Sequence, residues 1–148
     1  MTLKQWADNG WLRDHRSSAK EIAGLLSIVN RDLKDAGRVE VSADWRFGIA
    51  YNAALKLCTM LLHASGYRPE KALLHYRTIQ AFPMIPGDRH KDNATYLETC
   101  RIKRNTIEYD IAGAVTEKDA RELLVFAGRL QSEVLDWLRA SHPELLKP

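Results

Sequence analysis

Residues 42–64, SADWRFGIAYNAALKLCTMLLHA, carry apolar side chains on nearly every side of a helix, and their reading decides the fold. Trp45, Ile49, Ala50, Ala53, Ala54, Leu57, Cys58, Leu61 and Leu62 cover most of the circumference at the helical pitch. In a chain of ordinary globular composition, such a helix belongs at the centre of a bundle. Ser42 is placed to cap its start. Ser65-Gly66-Tyr67-Arg68-Pro69 supplies the glycine and proline that stop it near Ala64.

The flanking segments repeat the same periodicity. After a short amphipathic start around Trp6 and Trp11, Ser17 or Ser18 caps a helix whose Ile22, Leu25, Leu26, Val29 and Leu33 line one side, and Gly37 ends it. A shorter helix follows the central one through Leu73, Leu74 and Ile79. From Ala81 to about Asn93 the run FPMIPGDRHKD, with two prolines and a glycine, reads as a loop. A further helix then runs to Gly113. Thr116 and Asp119 resemble a capping box opening a last helix through Leu123, Leu124, Phe126, Leu130, Val134 and Trp137, which His142-Pro143 ends. No segment alternates as a strand does, and no hairpin turn occurs. The expectation is an all-α, single-domain antiparallel bundle of about five helices over residues 1–148, a four-helix core with short additions.

Bulk properties narrow the function. Hydrophobic residues at 45% and charged residues at 28% exclude a largely disordered chain. The 22 basic against 19 acidic residues are too weak an excess to mark a nucleic-acid binder by charge alone. The greasiest run is broken by Lys56 and His63, so no membrane span or membrane partner is expected. The first thirty residues hold no apolar leader, and a cytoplasmic protein is the expectation. Cys58 and Cys100 lack metal or redox spacing and read as reduced, buried thiols. Asp88, His90 and Asp92 sit in the loop without ligand spacing. No metal or other cofactor is expected.

Chemistry concentrates in Arg101-Ile102-Lys103-Arg104-Asn105-Thr106-Ile107-Glu108-Tyr109-Asp110. Wound as a helix, Tyr96, Cys100, Ile107, Ile111 and Ala114 make a core-facing stripe, whereas Arg101, Asn105 and Tyr109 recur every fourth residue on the other side. Arg101, Lys103 and Arg104 are candidate phosphate ligands, because guanidinium forks match phosphate oxygens. The plainer reading pairs Arg104 with Glu108 and leaves Lys103 solvated. Arg101, Asn105 and Tyr109 are candidates for a dimer seam, a role that suits a tyrosine with a buried ring and a paired hydroxyl. Arg46, Asn52 and Lys56 read as polar groups satisfied within the bundle. The aromatic positions read as core, and no glycine-rich phosphate loop occurs.

Taken in order, Asp44-Trp45-Arg46-Phe47, Ala50-Tyr51-Asn52-Ala53-Ala54, Leu61-Leu62, Gly66-Tyr67-Arg68-Pro69, His75-Tyr76-Arg77-Thr78-Ile79 and Arg104-Asn105 with Tyr109 resemble the HEPN superfamily. The match is to the branch carrying Arg-Asn and then Tyr-Asp. The resemblance implies a helical homodimer, a nucleotidyltransferase or antitoxin partner, and RNA as ligand. In active members it implies metal-independent RNA cleavage, with Arg104, Asn105 and Tyr109 at the catalytic positions. Tyr109 stands where those members carry histidine. A phenol titrating near 10 is a poor resting base beside an imidazole near 6.5. The favoured expectation is therefore a binding or regulatory protein, with a ribonuclease and a purely structural self-associating protein as the alternatives.

Overall fold

The computed structural model describes residues 1–86, 90–109 and 113–147, with the side chains of 107–109 outside that set. Among the described residues the chain is all-α, with six helices: α1 (Leu3–Asp8), α2 (Ala19–Ala36), α3 (Ala43–Ala64), α4 (Leu74–Ala81), α5 (His90–Tyr109) and α6 (Glu117–Ser141). Local chemistry sets most of the ends. The Ser18 and Ser42 hydroxyls accept from the backbone N–H groups of Glu21 and Trp45, Gly37 closes α2, and Thr116 with Asp119 forms a reciprocal box at the start of α6.

α3 is the axis of the bundle and packs most extensively on α2 and α6, with α4 and α5 against it more lightly. Phe47, Ala50, Tyr51, Leu57, Met60 and Leu61 join Ile22 and Val29 of α2, Leu97 of α5 and Leu123, Leu130 and Val134 of α6 in one continuous core. Cys58 and Cys100 lie in it as free thiols. Burial pushes Cys58 up to about 12 and Cys100 up to about 11, which makes both poor nucleophiles near neutral pH.

Two polar side chains of α3 find partners within the bundle. Arg46, 5% exposed, donates to the Val41 carbonyl at 2.8 Å and to the Glu117 carboxylate, tying α3 to α6. Asn52 donates to Asp32 at 2.6 Å.

Three expectations need correction. Trp45 is 71% exposed: it stands in the first turn of α3, where the neighbouring helices leave it uncovered. α5 begins at His90, so residues 90–93 are helical and the connection from α4 is shorter than the proline content suggests. A small antiparallel ribbon also exists, pairing β1 (Leu12–Asp14) with β2 (Tyr67–Pro69) in the register Leu12 to Pro69. Each strand is three residues long and the two are far apart in sequence, so neither alternation nor a turn announces them.

Asp119 shows how the helix starts are held. Its carboxylate accepts from Lys103 of α5 at 2.8 Å and from the Thr116 backbone N–H at 3.1 Å. The Lys103 hydrogen bond, ahead of the Thr116 backbone bond, pulls its pKa down to about 2. A carboxylate with a lowered folded-state pKa adds stability above its unfolded value, and that stability is lost as pH falls through the folded one. The contribution of Asp119 should therefore fade between about pH 4 and about pH 2. Acid titration of helicity should show Asp119→Asn already weakened at neutral pH and less sensitive over that window. Parallel acid limbs for the two proteins would refute the role.

Candidate functional site

The site forms where α3, α4 and α5 meet, and Tyr51 of α3 is its floor. Tyr51 is 1% exposed, and its hydroxyl has no hydrogen-bond partner among the described residues. Desolvation raises its pKa well above the ordinary phenol value, so it is a neutral group throughout the physiological range. The Arg104 guanidinium of α5 lies over its ring, 5.2 Å from the centroid. The His75 ring of α4 meets the same tyrosine edge-on at 6.2 Å.

Beside this triad, Arg101 lies 5.5 Å over the ring of Tyr76. Its Nε and Nη2 donate to the Glu98 carboxylate at 3.0 and 2.6 Å. The Glu98 hydrogen bond raises the pKa of Arg101 further, keeping it charged and its fork oriented. Tyr76 is 41% exposed and is preceded in sequence by exposed Leu73 and Leu74, and Ile102 is also exposed on α5. The result is a cation-and-aromatic face with a buried floor at Tyr51 and an open shoulder at Tyr76. Leu73, the residue before α4, has φ +56°, a left-handed conformation uncommon for a branched residue, and the two site residues of α4, His75 and Tyr76, follow in its first turn.

Of the residues singled out in the sequence, the structure brings Arg101 and Arg104 to this face and adds His75. Lys103 is directed elsewhere, onto Asp119 of α6. Arg77 is also elsewhere: its guanidinium lies 4.6 Å over Trp11, on the N-terminal segment. Asn105 is exposed on α5. The backbone of Tyr109 closes α5, but its side chain, that of Glu108 and all of Asp110 lie outside the described residues. The proposed Arg104–Glu108 pair lies outside them too.

The stripe expected to face the core is present in Cys100, which is buried, and in Tyr96, whose ring packs 4.7 Å from Phe126. Ile107 and Ile111 belong to the set not described, and Ala94 and Leu97 complete the buried face. Asp88 is likewise outside the described residues. Asp92 and His90 stand in the first turn of α5, with the His90 ring 4.4 Å from Phe82.

A groove of about 430 Å³ runs between α5 and α6, lined by Asp92, Asn93, Tyr96, Phe126 and Arg129. Two of its polar residues are paired: Asn93 donates to Glu133 at 3.1 Å and accepts from Arg129 at 3.2 Å. This makes it a seam between helices, whereas the Tyr51 floor leaves a hydroxyl unsatisfied among the described residues.

Comparison with protein-family models, curated proteins and solved structures finds no match in any of the three. The functional reading therefore rests on the geometry of this face and on the motifs of the chain.

Proposed function

We propose that this protein is a HEPN-like homodimeric binding module for RNA, with the α4–α5 face as its recognition surface. The observation that carries the reading is the exposed Tyr76 ring with the Arg101 guanidinium over it and the Arg104 guanidinium on the adjacent Tyr51 ring. An aromatic ring open to solvent can stack an unpaired base, while neighbouring guanidinium groups take the phosphates of the same strand. The arginines are held in place by Glu98 and Tyr51, so little conformational entropy is lost on binding. Homodimerisation through Arg101, Asn105 and Tyr109, and a nucleotidyltransferase or antitoxin partner, belong to the same proposal.

A second reading, a metal-independent ribonuclease, is favoured by one observation. His75 meets edge-on the tyrosine that carries Arg104, and so offers from α4 an imidazole beside the motif that has Tyr109 where active members carry histidine. In that reading His75 exchanges the proton and Arg104 stabilises charge on the scissile phosphate, with Asn105 and Tyr109 positioning it.

One gel separates the two. Wild type, Arg104→Ala and His75→Ala, equally folded by circular dichroism, are incubated with a mixed single-stranded RNA pool across a salt series. Retention without cleavage, falling as salt rises and about tenfold weaker in Arg104→Ala, is the expected result. Cleavage by wild type that both variants lose would replace the binding reading with the ribonuclease. No retention at any salt would leave self-association, which light scattering on Arg101→Ala and Asn105→Ala would test.

A further inference from the structure

Far from α5 in the sequence, His15, Glu21 and His63 converge from three separate elements. His15 follows β1, Glu21 lies in the first turn of α2, and His63 lies in the last turn of α3. His15 Nε2 stands 2.9 Å from both oxygens of Glu21, and His63 Nδ1 stands 2.8 Å from Glu21 Oε1. The two imidazole rings are 4.2 Å apart.

His15 and Glu21 are held from behind. The His15 N–H donates to the Gly66 carbonyl at 2.8 Å, the Glu21 N–H is capped by Ser18, and the Ser17 hydroxyl donates to Glu21 Oε1 at 3.1 Å. The side chains are 16%, 30% and 17% exposed for His15, Glu21 and His63, enough for entry from solvent and little enough to hold the rings in place.

We propose that His15, Glu21 and His63 form a binding site for one first-row divalent metal ion, with zinc the best fit. One ligand atom from each residue lies within 4.8 Å of the others. Ligand atoms at zinc bond lengths of about 2.0–2.2 Å stand roughly 3.3 Å apart in a tetrahedron, so small side-chain rotations suffice. Two imidazoles and one carboxylate form a donor set that zinc accepts, and three protein ligands leave the fourth position to water or an anion. Ser17 acts on the carboxylate from outside the ligand set and orients it. The ion would join the N-terminal segment to the start of α2 and the end of α3, on elements apart from the arginine face.

The test uses the full chain stripped of metal, then titrated with Zn²⁺ by calorimetry and with Co²⁺ by visible absorption. Wild type should bind one equivalent, give the intense d–d bands of a tetrahedral or five-coordinate site, and melt at a higher temperature with Zn²⁺. Glu21→Gln, close in shape and still able to meet both histidines, should bind at least about 100-fold more weakly, and Ser17→Ala about tenfold more weakly. His15→Gln, at the end of a surface strand, should behave like Glu21→Gln even if one variant proves unstable. His75→Ala should bind as wild type does. No stoichiometric uptake by wild type would mean a hydrogen-bonded triad and nothing more. Equal binding by wild type, Glu21→Gln and His15→Gln would place the ion elsewhere, and either outcome overturns the proposal.

Discussion

Tyr51→Ala should lose about 3–5 kcal/mol of stability, the usual range for deleting a large buried aromatic side chain, whereas Tyr51→Phe should gain about 1 kcal/mol. The contrast follows from what the ring and the hydroxyl each do. The ring fills core space in α3, supports Arg104 and meets His75, so alanine leaves a cavity and removes the floor of the site. The hydroxyl is buried without a partner among the described residues, and burial of an unsatisfied hydroxyl is a cost that phenylalanine removes. Urea denaturation would measure both. RNA retention should survive Tyr51→Phe, because the π face under Arg104 is kept, and should fail in Tyr51→Ala under conditions where that protein is still folded. A Tyr51→Phe protein less stable than wild type would show that the hydroxyl is hydrogen bonded in solution.

On α6, Leu130→Ala should cost about 2–5 kcal/mol, whereas Val125→Ala should stay within about 0.5 kcal/mol. Leu130 is fully buried in the layer that α6 presents to α3, and Val125 is 72% exposed on the outer side of the same helix. The two positions share a helix and an aliphatic character, so the difference isolates burial. Thermal or urea unfolding would show it as a large shift of midpoint for Leu130→Ala beside almost none for Val125→Ala. Comparable losses would mean that the outer face of α6 is covered in solution, as it would be if the protein associates there.

The boundaries of α2, α3 and α6 were legible because capping is local. Ser18, Ser42 and Thr116 act on residues three positions ahead, and a reader of the sequence sees both partners at once. The core stripes of α2 and α6 were legible for the related reason that periodicity fixes which side chains share a face. Periodicity does not say where the neighbouring helices end, and that is why Trp45 falls on an apolar stripe yet stands in solvent.

The site was legible only in part. Arg101 and Arg104 stand together on one helix, but their tyrosines come from α3 and α4, and their pairing depends on a packing that spacing does not encode. Lys103 was grouped with them by adjacency. The helical pitch turns it toward Asp119 instead. The convergence of His15 and Glu21 with His63 leaves no local signal, because the three come from distant parts of the chain and His63 sits in the last turn of a segment that reads mostly as core.

The β1–β2 ribbon bears on the order in which the chain acquires its structure. Its partners lie more than fifty positions apart, with the whole of α2 and α3 between them, so Leu12–Asp14 cannot find Tyr67–Pro69 at low entropic cost until those two helices have docked. Helices α2 and α3 are joined by a short connection and can pair early; the N-terminal segment has to wait. It therefore closes late in folding and opens early in unfolding, so its amides should exchange with solvent well before those of α3.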